Sequence, residues 1–193
     1  MEFASFGRYS SRIPPYIRRS LRDRRPCISY TFVMTTFLIR PLENRDIAAT
    51  ATLFFRSVRE GAAAHYSAAE RAAWAPAPPD PENWRNRLIS QHVLVAEVDE
   101  GRIVGFMSRD NTGYLDLAFT DPDRAGQGVA AALYARLEES ALKDRIARLS
   151  CDASLGLRPF LLRRGWTLLR EQYPVRQGVT LRNFRMEKIL TSP

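Results

Sequence analysis

Asp121-Pro-Asp-Arg-Ala-Gly-Gln-Gly-Val-Ala-Ala-Ala-Leu133 packs a turn, two closely spaced glycines and a helix start into thirteen residues, and the rest of the chain is read outward from it. Upstream, residues 114–119 form an apolar, aromatic-containing run of strand length; downstream, Val129, Leu133, Leu137 and Ala141 recur at helical spacing. The glycines therefore sit at a strand-to-helix junction. Gly126 and Gly128 let the backbone approach a ligand, and the first amides of the helix carry roughly +0.5 of an elementary charge from the helix dipole. Such a junction is an anion site, suited to a phosphate-bearing cofactor.

Two readings compete for it. Gly126-Gln127-Gly128-Val129-Ala130-Ala131 also fits a dinucleotide fingerprint with Ala last, and Asp152 ends the next strand near the place of a ribose-binding acid. Against this, the dinucleotide loop follows its strand almost at once, whereas Asp121-Pro122-Asp123-Arg124 intervenes here. Nor does a repeat of strand and helix units come after it.

Strand, Asp-Pro-Asp turn, Gly-x-Gly-x-Ala and alanine-rich helix together resemble the acyl-CoA-binding segment of the GNAT family of N-acyltransferases. In the family pattern, Gln/Arg-x-x-Gly-x-Gly/Ala, Gly128 and Ala130 fill the last two places, while Ala125 stands first and the basic residue is displaced to Arg124. The resemblance runs over residues 37–189. A second signature, Ser154-Leu-Gly-Leu-Arg-Pro-Phe160 with Arg164-Gly-Trp166, is similar to the family's Asn-x-x-Ala-x-x-Phe-Tyr…Gly-Phe. His65-Tyr66-Ser67, Trp74 and Asn183-Phe-Arg-Met-Glu-Lys188 further resemble the YafP-type bacterial subgroup. The resemblance implies an α/β (α+β) domain with a mixed, mostly antiparallel sheet flanked by helices. It also implies acetyl-CoA as acyl donor, bound by Ala118, Phe119 and Thr120 of the strand, by Ala125, Gly126, Gln127, Gly128, Val129 and Ala130 of the loop, and by Ser154.

Composition is that of one soluble globular domain: 193 residues, 45% apolar and 26% charged. Cys27 and Cys151 give no metal spacing, and Cys151 lies in an apolar run, which suits an inert thiol in a reducing cytoplasm. Residues 1–33 differ from the rest of the chain, with seven arginines against Glu2 and Asp23, a net of 7 − 2 = +5 out of +8 for the whole chain. The remaining +3 suits an anionic cofactor without calling for nucleic acid. The segment reads as an extension that is not natively translated, since Met34 stands where an initiator would, or as a disordered basic tail, or as a transit peptide. The domain is expected over residues 34–193. No apolar stretch is long enough for a membrane span.

In chain order, residues 36–40 read as a strand closed by Pro41, and Asn44 as the cap of a helix bearing Ile47, Ala51, Phe54, Phe55 and Val58. A second helix runs from His65-Tyr66-Ser67 to Trp74; residues 76–81 break the chain before a third over 82–90. Residues 93–98 and 103–108 pair as a hairpin, and 114–119 add a strand. After the long helix come a strand at 146–151, a helix at 154–164 and strands at 166–169 and 180–188.

Transfer from a thioester to an amine needs a neutral amine, a donor for the carbonyl oxygen and tolerance of a departing thiolate. A lysine-type amine titrates at about 10.4 and a free thiol at about 8.5, so the base matters more than the acid. The family's usual acid, a Tyr after the Phe of the second signature, is replaced here by Leu161. Strict strand alternation puts Tyr114, Asp116 and Ala118 on one face and Leu115, Leu117 and Phe119 on the other, with the apolar face toward the long helix. Asp116 is then a candidate base acting through water and Tyr114 an acid or orienter; the structural reading is an Asp salt-bridged to an arginine, with Tyr114 as packing. His65 and Tyr173 stand in reserve. The expected activity is N-acetyl transfer to a small amine, with a non-catalytic acyl-CoA-binding module as the alternative class. The expected partners are that amine and no membrane or nucleic acid, with room for a homodimer.

Overall fold

The computed structural model describes residues 37–190; the readings made for residues 1–33, Met34 and Cys27 lie outside them. Strands β1 (Leu38–Pro41), β2 (His92–Val98), β3 (Arg102–Arg109) and β4 (Leu115–Thr120) form an antiparallel sheet in that order. Strands β5 (Arg148–Ser154), β6 (Thr167–Gln172) and β9 (Asn183–Ile189) form a second antiparallel sheet, ordered β5-β9-β6. A small hairpin, β7 (Val175–Arg176) and β8 (Val179–Thr180), stands between β6 and β9. Mixed α/β architecture with mostly antiparallel pairing is as expected. The hairpin is not: residues 180–188 are expected as one strand, but the positive-φ pair Gln177 and Gly178 turns the chain back.

Helices α1 (Ile47–Arg56), α2 (Ala68–Trp74) and α3 (Pro81–Ile89) precede β2; α4 (Val129–Lys143) links β4 to β5, and α5 (Leu157–Leu162) comes after β5. Helix α2 starts where Ser67 and Glu70 cap each other reciprocally, and α3 starts at Asp80 with Pro81 in its first turn. Helix α5 is shorter than the expected 154–164, because Ser154 belongs to β5. Among the described residues no helix is long and apolar enough to cross a membrane.

The first sheet has a core on each face. Leu94, Ala96, Val104, Met107 and Leu115 pack with Val129, Leu133 and Leu137 of α4 and with β5 and β9. Val93, Val95, Phe106 and Leu117 pack with Leu53, Phe54 and Val58 of α1's side and with Trp84 and Leu88 of α3. Gly105 lets α4 seat closely, since a Cβ there would lie 2.7 Å from Val129 Cγ1 and 3.0 Å from Leu133 Cδ1.

Strict alternation fails in β4. Ser108 pairs with Leu117 but Arg109 with Leu115, so Asp116 is the extra residue of a bulge. Leu115 faces the α4 core while Leu117 and Phe119 turn toward α1 and α3, and Ala118 packs on the α4 side. The expected grouping of Leu115, Leu117 and Phe119 toward the long helix is thus corrected: one inserted residue flips everything after it.

Candidate acetyl-CoA and acceptor site

The two sheets meet at one parallel bridge, Tyr114 to Ser150, beside which Ser150 N–H donates to the Gly113 carbonyl at 3.1 Å. Gly113 has φ +89°, and a Cβ there would fall 2.5 Å from the Arg148 carbonyl oxygen. Past that point β4 and β5 are the edges of separate sheets, and a cleft opens between them. Two cavities of about 470 Å³ each occupy it, sharing Tyr66, Trp74, Phe119 and Ser154.

The first cavity runs toward the glycine loop and is lined by Ala118, Thr120, Pro122, Ala125 and Ala130, with Phe160 and His65. Gly126 and Gly128 adopt φ +75° and +85°, which only glycine takes without strain. Gly128 caps α4 with no side chain, and the first helical bond recorded is Ala132 N–H to its carbonyl at 3.0 Å, so the amides of Val129, Ala130 and Ala131 precede the hydrogen-bonded ladder. Val129's side chain is buried against the sheet, and Gln127 folds back on the turn, donating to the Asp123 carbonyl at 3.1 Å. The ligand-facing chemistry of this loop is therefore backbone chemistry, and the displaced Arg124 leaves it intact.

Sequence reading missed what holds the loop. Arg56, at the end of α1, donates to Asp121 Oδ1 at 2.9 Å and to Asp123 Oδ2 at 2.7 Å, and Ser57 Oγ donates to the Thr120 carbonyl at 2.8 Å. Asp121 is buried, and its Oδ1 also accepts Asp123 N–H at 3.0 Å. After Arg56 the helix widens into a π-turn, Ser57–Gly61, where a Cβ on Gly61 would lie 3.2 Å from Pro122. Such turns recur at functional sites. Nothing local in the sequence links Arg56 to a turn 65 residues away.

The second cavity is lined by charged and polar side chains, among them Arg87, Tyr114, Asp116, Asp152, Arg176 and Arg182. Both predicted catalytic side chains reach it. Asp116 is held on both oxygens: Arg87 Nη2 and Nε donate at 2.7 and 2.9 Å, and Gln91 Nε2 at 2.7 Å. That is the salt-bridged arrangement of the structural reading. Tyr114 instead donates to Asp152 Oδ2 at 3.2 Å. Burial, and then the Asp152 charge, push its phenol up to about 12, so it keeps its proton near neutrality. Asp152 Oδ1 accepts from Gln172 Nε2 at 2.9 Å and Arg185 Nη1 at 3.3 Å. The ribose role weighed for Asp152 has no support in this placement, since its carboxylate lines the polar cavity away from the glycine loop. A visible signal points here: Leu149, Cys151 and Ala153 are buried and apolar, so Ser150, Asp152 and Ser154 share the other face of β5.

At the junction of the cavities, Phe119 meets Phe54, Phe106 and Trp74 at ring separations of 5.0, 5.6 and 6.3 Å. Tyr66 ties this floor to the second sheet, donating to the Arg182 carbonyl at 2.7 Å and accepting Leu155 N–H at 3.0 Å. Ser154 Oγ accepts Leu157 N–H at 3.1 Å, which engages an oxygen lone pair and leaves the hydroxyl proton to be donated. His65 is exposed, beside Gly156 on the rim of the first cavity. Tyr173 is exposed and donates to Glu171.

A glycine-loop helix start, a splayed pair of strands and two cavities meeting between them define an acyl-CoA-dependent acyltransferase fold. The model of the acetyltransferase (GNAT) domain matches residues 62–189, and the chain belongs to that family. It is 33% identical over 153 residues, 79% of this chain and 96% of the relative, to the uncharacterized N-acetyltransferase YafP of Escherichia coli K12. A GCN5-related N-acetyltransferase from Rhodopseudomonas palustris superposes with a TM-score of 0.76 at 32% identity, over 82% of this chain and 98% of that one. The protein yncA of Salmonella typhimurium, solved with acetyl-CoA, shares the fold at a TM-score of 0.62 and 19% identity, over 82% of this chain and 96% of that one. The chain is an N-acetyltransferase that uses acetyl-CoA.

Proposed function

We propose that the enzyme acetylates the amine of a small acceptor, with the donor in the loop-side cavity, the acceptor in the polar cavity, and the thioester carbonyl between them. The observation that carries this is the pair of cavities sharing Tyr66, Trp74, Phe119 and Ser154. Pyrophosphate sits on the amides after Gly128, where the helix dipole favours negative charge. The pantetheine arm runs past Ala118, Phe119 and Thr120 along the open edge of β4.

The amine nitrogen attacks the carbonyl carbon, a C–N bond forms, and the C–S bond breaks. Its proton leaves to Asp152, directly or through one water, with Tyr114 orienting the carboxylate. Asp116 is assigned the supporting role of positioning Arg87, because a guanidinium fork at 2.7 and 2.9 Å holds it in the charged form, whereas the guanidinium beside Asp152, Arg185, stands off at 3.3 Å. The thiolate departs without an obligatory acid, and the Ser154 hydroxyl is placed to hydrogen-bond it.

A screen of full-length enzyme with acetyl-CoA over a panel of amines, measuring both thiol release and acceptor mass, tests the reading. Thiol release with no acetylated amine would leave a hydrolase, and acetyl-CoA binding without release would favour the non-catalytic module. We further place the enzyme in the cytoplasm, in keeping with an unpaired, buried Cys151. A second copy has a candidate seat on the edge strand β6, where Leu168 and Leu169 are exposed. Sedimentation as a monomer at micromolar concentration would remove the dimer. The catalytic domain is assigned to residues 34–193, and a chain beginning at Met34 is expected to match the full chain in melting temperature and acetyl-CoA affinity; a large loss in either would extend the domain upstream.

A further inference from the structure

The polar cavity divides its charges. Strands β4 and β5 contribute Asp116 and Asp152, and the segment carrying hairpin β7–β8 contributes Arg176 and Arg182. These charges are not equally satisfied. Asp116 and Asp152 each accept three donors, but both arms of Arg87 grip Asp116 at 2.7 and 2.9 Å, whereas the guanidinium partner of Asp152, Arg185, stands off at 3.3 Å and its Oδ2 accepts only from the neutral Tyr114 hydroxyl at 3.2 Å. Arg182 spends its Nε on Glu171, and its terminal nitrogens meet no acceptor among the described residues. No acid meets Arg176 among the described residues.

The cavity thus presents a carboxylate with room for an ammonium or amine. The hairpin segment adds the Arg176 guanidinium and the terminal nitrogens of Arg182, which meet no acceptor among the described residues. A cationic polyamine would place positive charge against Arg176 and Arg182, while a plain hydrophobic amine would leave the Arg176 guanidinium and the terminal nitrogens of Arg182 without an anion. An acceptor with its own anionic group satisfies both the carboxylate and the guanidiniums, and an arginine fork is the side chain best shaped to hold a carboxylate.

We infer that the acceptor is an amino-acid-like molecule, a small amine bearing an anionic group, whose nitrogen docks at Asp152 and whose anion is held by Arg176 and Arg182. This rests on the acetyltransferase reading above and narrows its acceptor. The hairpin, absent from the sequence-based expectation, then acts as the specificity element. Its Gln177-Gly178 turn positions Arg176 on the cavity wall.

The test compares L-phenylalanine, L-glutamate and 2-aminoethylphosphonate with phenethylamine, L-phenylalaninamide and spermidine. It measures transfer by full-length enzyme with acetyl-CoA, and binding to the CoA-loaded enzyme by calorimetry. Anionic amines are expected to lead their uncharged counterparts by about tenfold or more in kcat/KM, as befits a charge-assisted hydrogen bond. Arg176→Gln and Arg182→Gln should raise KM for anionic amines about tenfold, with the KM for acetyl-CoA unchanged, and Arg176→Lys should restore part of the loss. Preference for spermidine or phenethylamine overturns the inference and leaves the transferase reading standing. Binding of anionic amines that depends on Arg176, with no transfer to any amine, upholds the inference and overturns the transferase reading. Neither binding nor transfer of the anionic set overturns the inference.

Discussion

The two cavities have equal volumes of about 470 Å³ and are built by opposite means. The loop-side cavity offers backbone and small side chains: Gly128 opens α4 without a capping side chain, and Ala118, Ala125 and Ala130 leave room. The polar cavity offers side chains from distant segments, Arg87, Tyr114, Asp116, Asp152 and the arginines of the hairpin segment. Backbone amides can meet a phosphate whatever the neighbouring side chains are, so a loop-side site tolerates departures such as Ala125 in the first place of the loop pattern. The polar cavity has no such tolerance, because each charge there is a choice of residue.

The comparison breaks most visibly at Gly128. Gly128→Asp puts an L-residue at φ +85°, a strain of about 1–2 kcal/mol, and adds a negative charge at the proposed pyrophosphate seat, so acetyl-CoA affinity should fall roughly 100-fold. Calorimetry on folded protein checks this; unchanged affinity would put the pyrophosphate elsewhere. On the acceptor side the effect should be on rate. Asp152→Asn should lower kcat by about 10²-fold or more, the usual contribution of a general base, with acetyl-CoA affinity unchanged. Tyr114→Phe should lower it less, by about tenfold. Asp116→Asn serves as the counterpart: if it alone costs the larger factor, the base is Asp116 and the Arg87 pair opens during the reaction.

Next comes the clamp under the glycine loop. Arg56→Ala leaves the buried Asp121 carboxylate short of a charged partner, a loss of about 1–3 kcal/mol. A lower melting temperature should accompany acetyl-CoA affinity weakened several-fold. Full affinity in the variant would mean that the turn holds its shape without α1.

The smallest effect is in alkali. Tyr114's phenol titrates at about 12 in the folded protein, above its unfolded value of about 10. Its folded form therefore binds the proton more tightly, giving stability fully present below pH 10 and lost as pH rises toward 12. Melting curves of Tyr114→Phe should fall less steeply than those of the unaltered enzyme between pH 10 and 12. Parallel curves would mean that Tyr114 is more solvated than its contact with Asp152 implies.

The glycine loop is legible in the sequence because everything it needs is local: positive φ at Gly126 and Gly128, a turn at Asp121-Pro-Asp123, and an apolar period that starts the helix at Val129. Helix caps at Ser67 and Asp80 are equally local, and so is the apolar face of β5. The period-2 rule misreads β4, because a bulge costs one residue of alternation and leaves no mark in composition. It also masks the second candidate base: a regular strand points to Asp116 alone, while Asp152, whose guanidinium partner is the more distant, is brought to Tyr114 across 38 residues.

By itself, then, the chain's order of residues determined the glycine-capped helix start, the sequence of strands and helices around it, and the absence of the usual tyrosine at Leu161. Tertiary structure alone decided that Arg56 clamps the loop, that β4 and β5 part beyond Tyr114, and that the hairpin segment brings two arginines to the cavity that Asp152 also lines. The physical reason is range. Backbone dihedrals, caps and hydrophobic period are settled within a few residues, whereas the partner of a charge is settled by strand register and sheet splay, which bring together segments far apart in the chain.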